Sequence, residues 1–212
     1  MRNRRHAKSY ERRAPTREPY DVVLIVCEGK KTEPLYLNRL RILHRLSSAN
    51  IQVLSADGTD PINIVAFTER QLQRGIYDKA FCVFDRNGHA NYDSALQRIS
   101  ASADGKKGKL EAITSWPCFE VWLLLHFRYS AAAFQRSGRH SSCDKVIREL
   151  KAYLPLYEKG SQSIYDELLP RQADAMRHAD RLEKENLITN SSNPSTRLHY
   201  LVSYLQSLRV AK

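Results

Sequence analysis

Apolar residues in this chain come in short runs that stop at acidic positions. Val22-Val23-Leu24-Ile25-Val26-Cys27 runs into Glu28-Gly29, and Phe81-Cys82-Val83-Phe84 runs into Asp85. Short unbroken apolar runs predict strands buried on both faces. On this pattern residues 21–27 form the first strand, 50–56 the second, 80–84 the third and 111–115 a short fourth. Helical spacing fills the gaps. Thr32 caps a helix opening with Glu33-Pro34 and running to residue 46, with Leu35, Leu40, Leu43 and Leu46 for its inner face. Asp60 caps the next, with Pro61 in its first position and Ile62, Val65, Ala66 and Leu72 facing inward. Residues 91–102 read as a third helix and 104–108 as a loop. Strands separated by helices predict a mostly parallel α/β sheet with right-handed crossovers. The carboxyl ends of such strands share one edge, and sites form there.

Beyond residue 115 the pattern turns helical. Residues 117–126 are strongly apolar, and 130–142 form a polar loop containing Gly138. Residues 143–153, 166–185 and 195–208 read as helices, with a tyrosine-rich connector ahead of residue 166. The expected layout is a basic arm over 1–19, an α/β core over 20–127, and a helical part over 128–212 packed on that core. No internal repeat is visible.

Charge adds an expected partner. The 212 residues carry a net charge of +11, which favours a polyanion, most simply nucleic acid. A generally basic soluble protein has the same total. The arm holds Arg2, Arg4, Arg5, Lys8, Arg12, Arg13 and Arg17 against Glu11 and Glu18, and reads as a phosphate-tracking segment or a solubilising tail. Cys27, Cys82, Cys118 and Cys143 make no Cys-x-x-Cys pair, which argues against a zinc ribbon. Cys27 and Cys82 sit in apolar strands as small hydrophobes. No segment approaches the roughly 20 apolar residues of a membrane span, and no apolar stretch follows the basic start as in a signal peptide. A cytoplasmic location with reduced thiols is expected.

The acids at strand ends carry the candidate chemistry. Glu28 reads as a general acid/base, a metal ligand, or a surface glutamate; Gly29 lets the chain turn sharply beside it. Asp85-x-Asn87 can offer a carboxylate and an amide oxygen to Mg²⁺, which takes few protein ligands. The same residues before Gly88 also suit a plain turn. His89 could orient a phosphate or a water. Lys30 and Lys31 could neutralise phosphate or form a solvated loop. Glu33 suits the helix dipole. Glu120 lies on an apolar helix, where an unpartnered carboxylate is costly. It reads as a third metal ligand, an acid/base, or an ion-pair partner of an arginine. His126, six residues on, does not share its face and reads as catalytic or as a core histidine. Asn193-Pro194-Ser195-Thr196 reads as a helix start that also suits phosphate. Lys159 reads as a phosphate contact or a surface lysine. The tryptophans and tyrosines could stack bases or pack the core.

Three stretches carry a resemblance. Val23-Leu24-Ile25-Val26-Cys27-Glu28-Gly29-Lys30-Lys31-Thr32-Glu33-Pro34-x-Tyr36 resembles the opening signature of the RloB-like family. Ser115 to Phe127 resembles its second, with Trp116-Pro117 where Asn-Pro is usual, and Asn193-Pro194-Ser195-Thr196-x-x-His199-x-Leu201-Val202 its third. The resemblance implies a TOPRIM-like, Rossmannoid sheet flanked by helices. It also implies a glutamate acid/base, matched by Glu28, and an Asp-x-Asp that holds Mg²⁺, matched by Asp85. Asn87 stands at the second aspartate and removes one negative charge, which should weaken metal affinity. The function implied is a Mg²⁺-dependent nuclease of anti-phage defence, with Mn²⁺ as a substitute. Arg86, His89, Lys30, Lys31, Lys159, Arg12 and Arg13 are its candidate contacts to DNA or RNA. An ATPase or restriction–modification protein is the expected partner, and a homo-oligomer a further expectation. The alternatives are a non-catalytic nucleic-acid or nucleotide sensor, and a toxin-like component released by a partner. No tyrosine-nucleophile domain or primase zinc module suggests a topoisomerase or primase.

Overall fold

In the computed structural model, which describes residues 21–208 except 49, 57, 59 and 87, the apolar runs form a five-stranded sheet. Its strands are β1 (Val23–Cys27), β2 (Ile51–Ser55), β3 (Lys79–Asp85), β4 (Leu110–Trp116) and β5 (Ser195–Thr196), in the order β2-β1-β3-β4-β5. The first four pair in parallel and β5 runs antiparallel to β4. Side chains alternate between two buried clusters, as the pleat requires. Val23, Ile25, Phe81, Val83 and Ile113 enter one; Leu24, Val26, Cys82, Phe84 and Ala112 enter the other.

Helices α2 (Pro61–Arg74) and α3 (Tyr92–Ala101) cover the second cluster. The first is larger. It joins α1 (Thr32–Leu43), α5 (Glu120–Leu125), α6 (Ser142–Leu150), α7 (Ile164–Leu168), α8 (Gln172–Thr189) and α9 (Leu198–Ser207) on the opposite face. The carboxyl-terminal helices therefore share their core with β1 and β3. Between α3 and β4 lies a four-residue helix, α4 (Ala103–Lys106), where a loop was expected. No helix among the described residues is long and apolar enough to cross a membrane.

Several expectations change. The inner face of α1 is Tyr36, Leu37 and Leu40, whereas Leu43 is exposed. The single helix expected over 166–185 is interrupted by a 3-10 turn at Leu169–Arg171, because Pro170 supplies no backbone N–H. Residues 195–208 do not open directly as a helix. Ser195 and Thr196 pair with Trp116 and Ser115 first, and Thr196 Oγ1 then accepts the Leu198 N–H at 3.3 Å.

Candidate functional site

The chain crosses from β1 to β2 on one side of β1, and β3 lies on the other. Strand order reverses there, which opens a crevice at the carboxyl ends. Glu28 follows β1, Asp85 ends β3, and Glu120 opens α5 shortly after β4. Each acid is therefore delivered by a different strand to one edge.

Glu28 is held through both oxygens. Oε2 accepts the Asp85 backbone N–H at 2.9 Å, and Oε1 lies 3.2 Å from His89 Nε2. His89 Nδ1 lies 3.5 Å from Asp60 Oδ1, so the ring bridges two carboxylates. The Glu28 N–H donates to the Val83 carbonyl at 2.9 Å, extending the β1–β3 ladder one residue past the strand. No arginine among the described residues ion-pairs with Glu28 or Asp85.

A fourth acid, Glu33, joins from the first turn of α1. Its carboxylate folds over Gly29 so closely that a Cβ at Gly29 would lie 2.1 Å from Glu33 Oε2. Gly29 gives that carboxylate room; its φ is not among the positive ones. A first-turn acid already has an explanation in the helix dipole, which hid Glu33 from sequence reasoning. The available signal was the bare glycine four residues before it.

The acids repel one another. Burial pushes the Asp85 carboxyl well above the usual carboxylate range, and Glu33, Glu28 and Glu120 add to the rise; a hydrogen bond from the Phe119 backbone opposes it. Burial also raises Glu33. Its own backbone hydrogen bond opposes that rise, Glu120 and Glu28 reinforce it, and Lys159 opposes it again.

Glu120 is 1% exposed. Oε1 accepts from Tyr157 Oη at 3.1 Å and lies 3.2 Å from Lys159 Nζ, while Oε2 lies 3.5 Å from Cys143 Sγ. Burial alone would lower the Lys159 pKa, but Glu120, Asp85 and Glu33 raise it. Both Tyr157 and Lys159 come from the connector before α7, which docks on the start of α1. The Gly160 N–H donates to Thr32 Oγ1 at 3.1 Å, and Gly160, at φ +86°, packs against the Lys31 side chain. Thr32 is thus the connector's anchor rather than a side-chain cap, and Lys159 faces carboxylates.

Other candidates fall elsewhere. His126 is not brought to the acids: its Nδ1 lies 2.9 Å from the Trp122 carbonyl, and its Nε2 is buried without a partner. Burial lowers its pKa to about 4, and the side chains bearing on it are Asp174 and His178 of α8. The Arg86 guanidinium stacks 4.0 Å above the Trp116 ring and 5.1 Å from Tyr92. Lys30 and Lys31 are exposed beside Glu28. Asn87, Arg12 and Arg13 lie outside the described residues.

The expectation of four reduced thiols is corrected. Cys27 and Cys82 are free and buried, but Cys118 and Cys143 form a disulfide, their Cα atoms 5.8 Å apart. Cys143 is positioned by the start of α6, where Ser141 Oγ accepts the Asp144 N–H and the Asp144 carboxylate accepts the Ser141 N–H.

A family model described as RloB-like protein matches residues 23–205. No curated protein and no solved structure matches.

Proposed function

The chain belongs to the RloB-like family, whose match spans residues 23–205, and from that membership and the acid cluster we propose that it is a Mg²⁺-dependent nuclease of the TOPRIM type. The observation that carries this reading is four acids, Glu28, Glu33, Asp85 and Glu120, with Lys159 as the ammonium set against them at one sheet edge. Asp85 and Glu33, raised by burial and by the charges of Glu28 and Glu120, fit a hard divalent cation, which takes oxygen ligands and relieves that repulsion. Asp85 and Glu33 would hold the ion with Glu120 or Glu28, and Asn87 would add an amide oxygen. Mn²⁺ fits the same donors. Bound there, the ion supplies Lewis-acid polarisation of a phosphate and a lowered pKa for water.

The chain's own residues do the rest. Glu28, fixed by the Asp85 N–H and His89, takes a proton from the attacking water. Lys30, Lys31 and the basic arm draw in the phosphate backbone. Arg86, its guanidinium carbon 4.0 Å from the centre of the Trp116 ring, adds a cation beside Asp85 for phosphate. A role in phage defence, beside an ATPase or restriction–modification partner, extends this reading from the family resemblance.

The test is incubation of the full chain with end-labelled DNA, RNA and tRNA in Mg²⁺, Mn²⁺ or EDTA. Cutting that requires metal and disappears in Glu28→Gln supports the nuclease. Cutting that survives EDTA, or that Glu28→Gln leaves intact, refutes it. The second reading, a binding sensor, has Asn87 in its favour. Tight binding without cutting, with Asn87→Asp restoring cleavage, selects it.

A further inference from the structure

One group of donors beside the acid cluster has a different chemistry. Cys118 Sγ, Cys143 Sγ and a Glu120 carboxylate oxygen lie within 4.8 Å of one another, and all three residues are buried. We propose that, once the Cys118–Cys143 disulfide is reduced, these residues form a site for a thiophilic transition metal of the Zn²⁺ class. The site does not depend on the nuclease reading.

The donor set argues for it first. Two thiolates and one carboxylate suit Zn²⁺, whereas Mg²⁺ takes oxygen alone. Geometry agrees. With Zn–S bonds of about 2.3 Å, two sulfurs on one tetrahedral ion stand about 3.8 Å apart. Cα atoms 5.8 Å apart allow that spacing through side-chain rotation alone. The turn after β4 holds Cys118, and the capped start of α6 holds Cys143. Glu120 divides its oxygens suitably. Oε1 is taken by Tyr157 and Lys159, and Oε2 is the one that faces Cys143.

A cation already stands at this point. Lys159 Nζ lies 3.2 Å from Glu120 Oε1 and 3.8 Å from Cys143 Sγ. Its side chain is 57% exposed, so it can withdraw into solvent and leave the fourth position to water. Three protein ligands and one open position are an established zinc arrangement.

Redox state decides whether the site exists. A dithiol reductant gives two electrons and two protons: the S–S bond breaks, two S–H bonds form, and the reductant becomes a disulfide. The metal then displaces the two thiol protons and binds the thiolates. Disulfide and metal therefore exclude one another. Glu120 belongs to both donor sets, so a metal on sulfur would also withdraw a carboxylate from its neighbours.

The experiment uses Co²⁺ as a spectroscopic probe. The full chain is reduced with dithiothreitol, desalted without oxygen and titrated. One equivalent should give a thiolate-to-cobalt charge-transfer band in the near ultraviolet, bleached by Zn²⁺. The Cys27→Ala/Cys82→Ala double variant should keep the band, and so should Glu28→Gln. Cys143→Ser should lose it, and Glu120→Gln should weaken binding by about tenfold or more. Oxidised wild type, which needs no substitution and so no refolding check, should show no band. A reduced wild type without the band overturns the proposal, as does a band that survives in oxidised protein or in Cys143→Ser. Failure to cut nucleic acid would leave this result untouched.

Discussion

Glu120 and His126 stand at opposite ends of one short helix, and each is 1% exposed. The glutamate meets Tyr157, Lys159 and Cys143, and its charge bears on Asp85 and Glu33. The histidine meets one carbonyl and keeps an unpartnered nitrogen. At that end α8 closes the helix, with His178 Nδ1 2.7 Å from the Leu125 carbonyl. Equal burial thus has unequal meaning. What separates the two is position along the sheet edge: the first turn of α5 faces the strand ends, and the last turn faces another helix.

The largest effect should come from replacing each of the two groups by glutamine. Glu120→Gln should lower metal-dependent cleavage about 1,000-fold, while His126→Gln should change it by about twofold. Equal losses in a cleavage assay would erase the distinction.

Proton linkage should come next, with opposite signs at the two ends. Asp85 and Glu33 have raised pKa values, so the folded state binds more protons than the unfolded one between the two values. Without metal, their contribution to stability is highest below the ordinary carboxylate range and falls as pH rises through the raised values. His126 is lowered from 6.5 to about 4. Its contribution is complete above the unfolded value and is lost as pH falls through that window, by about 3 kcal/mol. Melting curves in EDTA should separate the two, Asp85→Asn flattening the fall with rising pH and His126→Phe the fall in acid. Identical pH profiles for both variants would contradict the assignment.

A smaller change tests how the acids are arranged. Gly29→Ala must displace the Glu33 carboxylate and should cost about tenfold in cleavage with little change in melting temperature. The smallest concerns the counter-charge. Lys159→Gln should lower stability in EDTA by about 1 kcal/mol, since its side chain is largely solvated, and Mg²⁺ should restore the loss. A loss that Mg²⁺ leaves in place would show that the ammonium does not offset the acid cluster.

Much of this was legible in the sequence because it is local. An apolar run ending in an acid announces both the strand and the position of its carboxylate, and so Glu28 and Asp85 could be read directly. Glu120 was visible as a charge inside an apolar helix that had to find partners. Those partners were not. Tyr157 and Lys159 reach the site because a connector docks on Thr32, which lies 128 residues from Gly160, and no periodicity records such a contact. Glu33 was masked by a sufficient local explanation. The two-residue β5 is too short to leave a pattern, and the Cys118–Cys143 pairing depends on how α6 packs against the turn after β4.

Arg86 over the Trp116 ring gives the protein an optical gauge. The chain has two tryptophans, and the second, Trp122, is sealed in the core with its indole N–H donated to Tyr36 Oη at 2.8 Å. A polyanion that lifts the Arg86 guanidinium away would alter the emission of Trp116 and leave that of Trp122 constant. The difference spectrum would then follow occupancy of the sheet edge with no added dye.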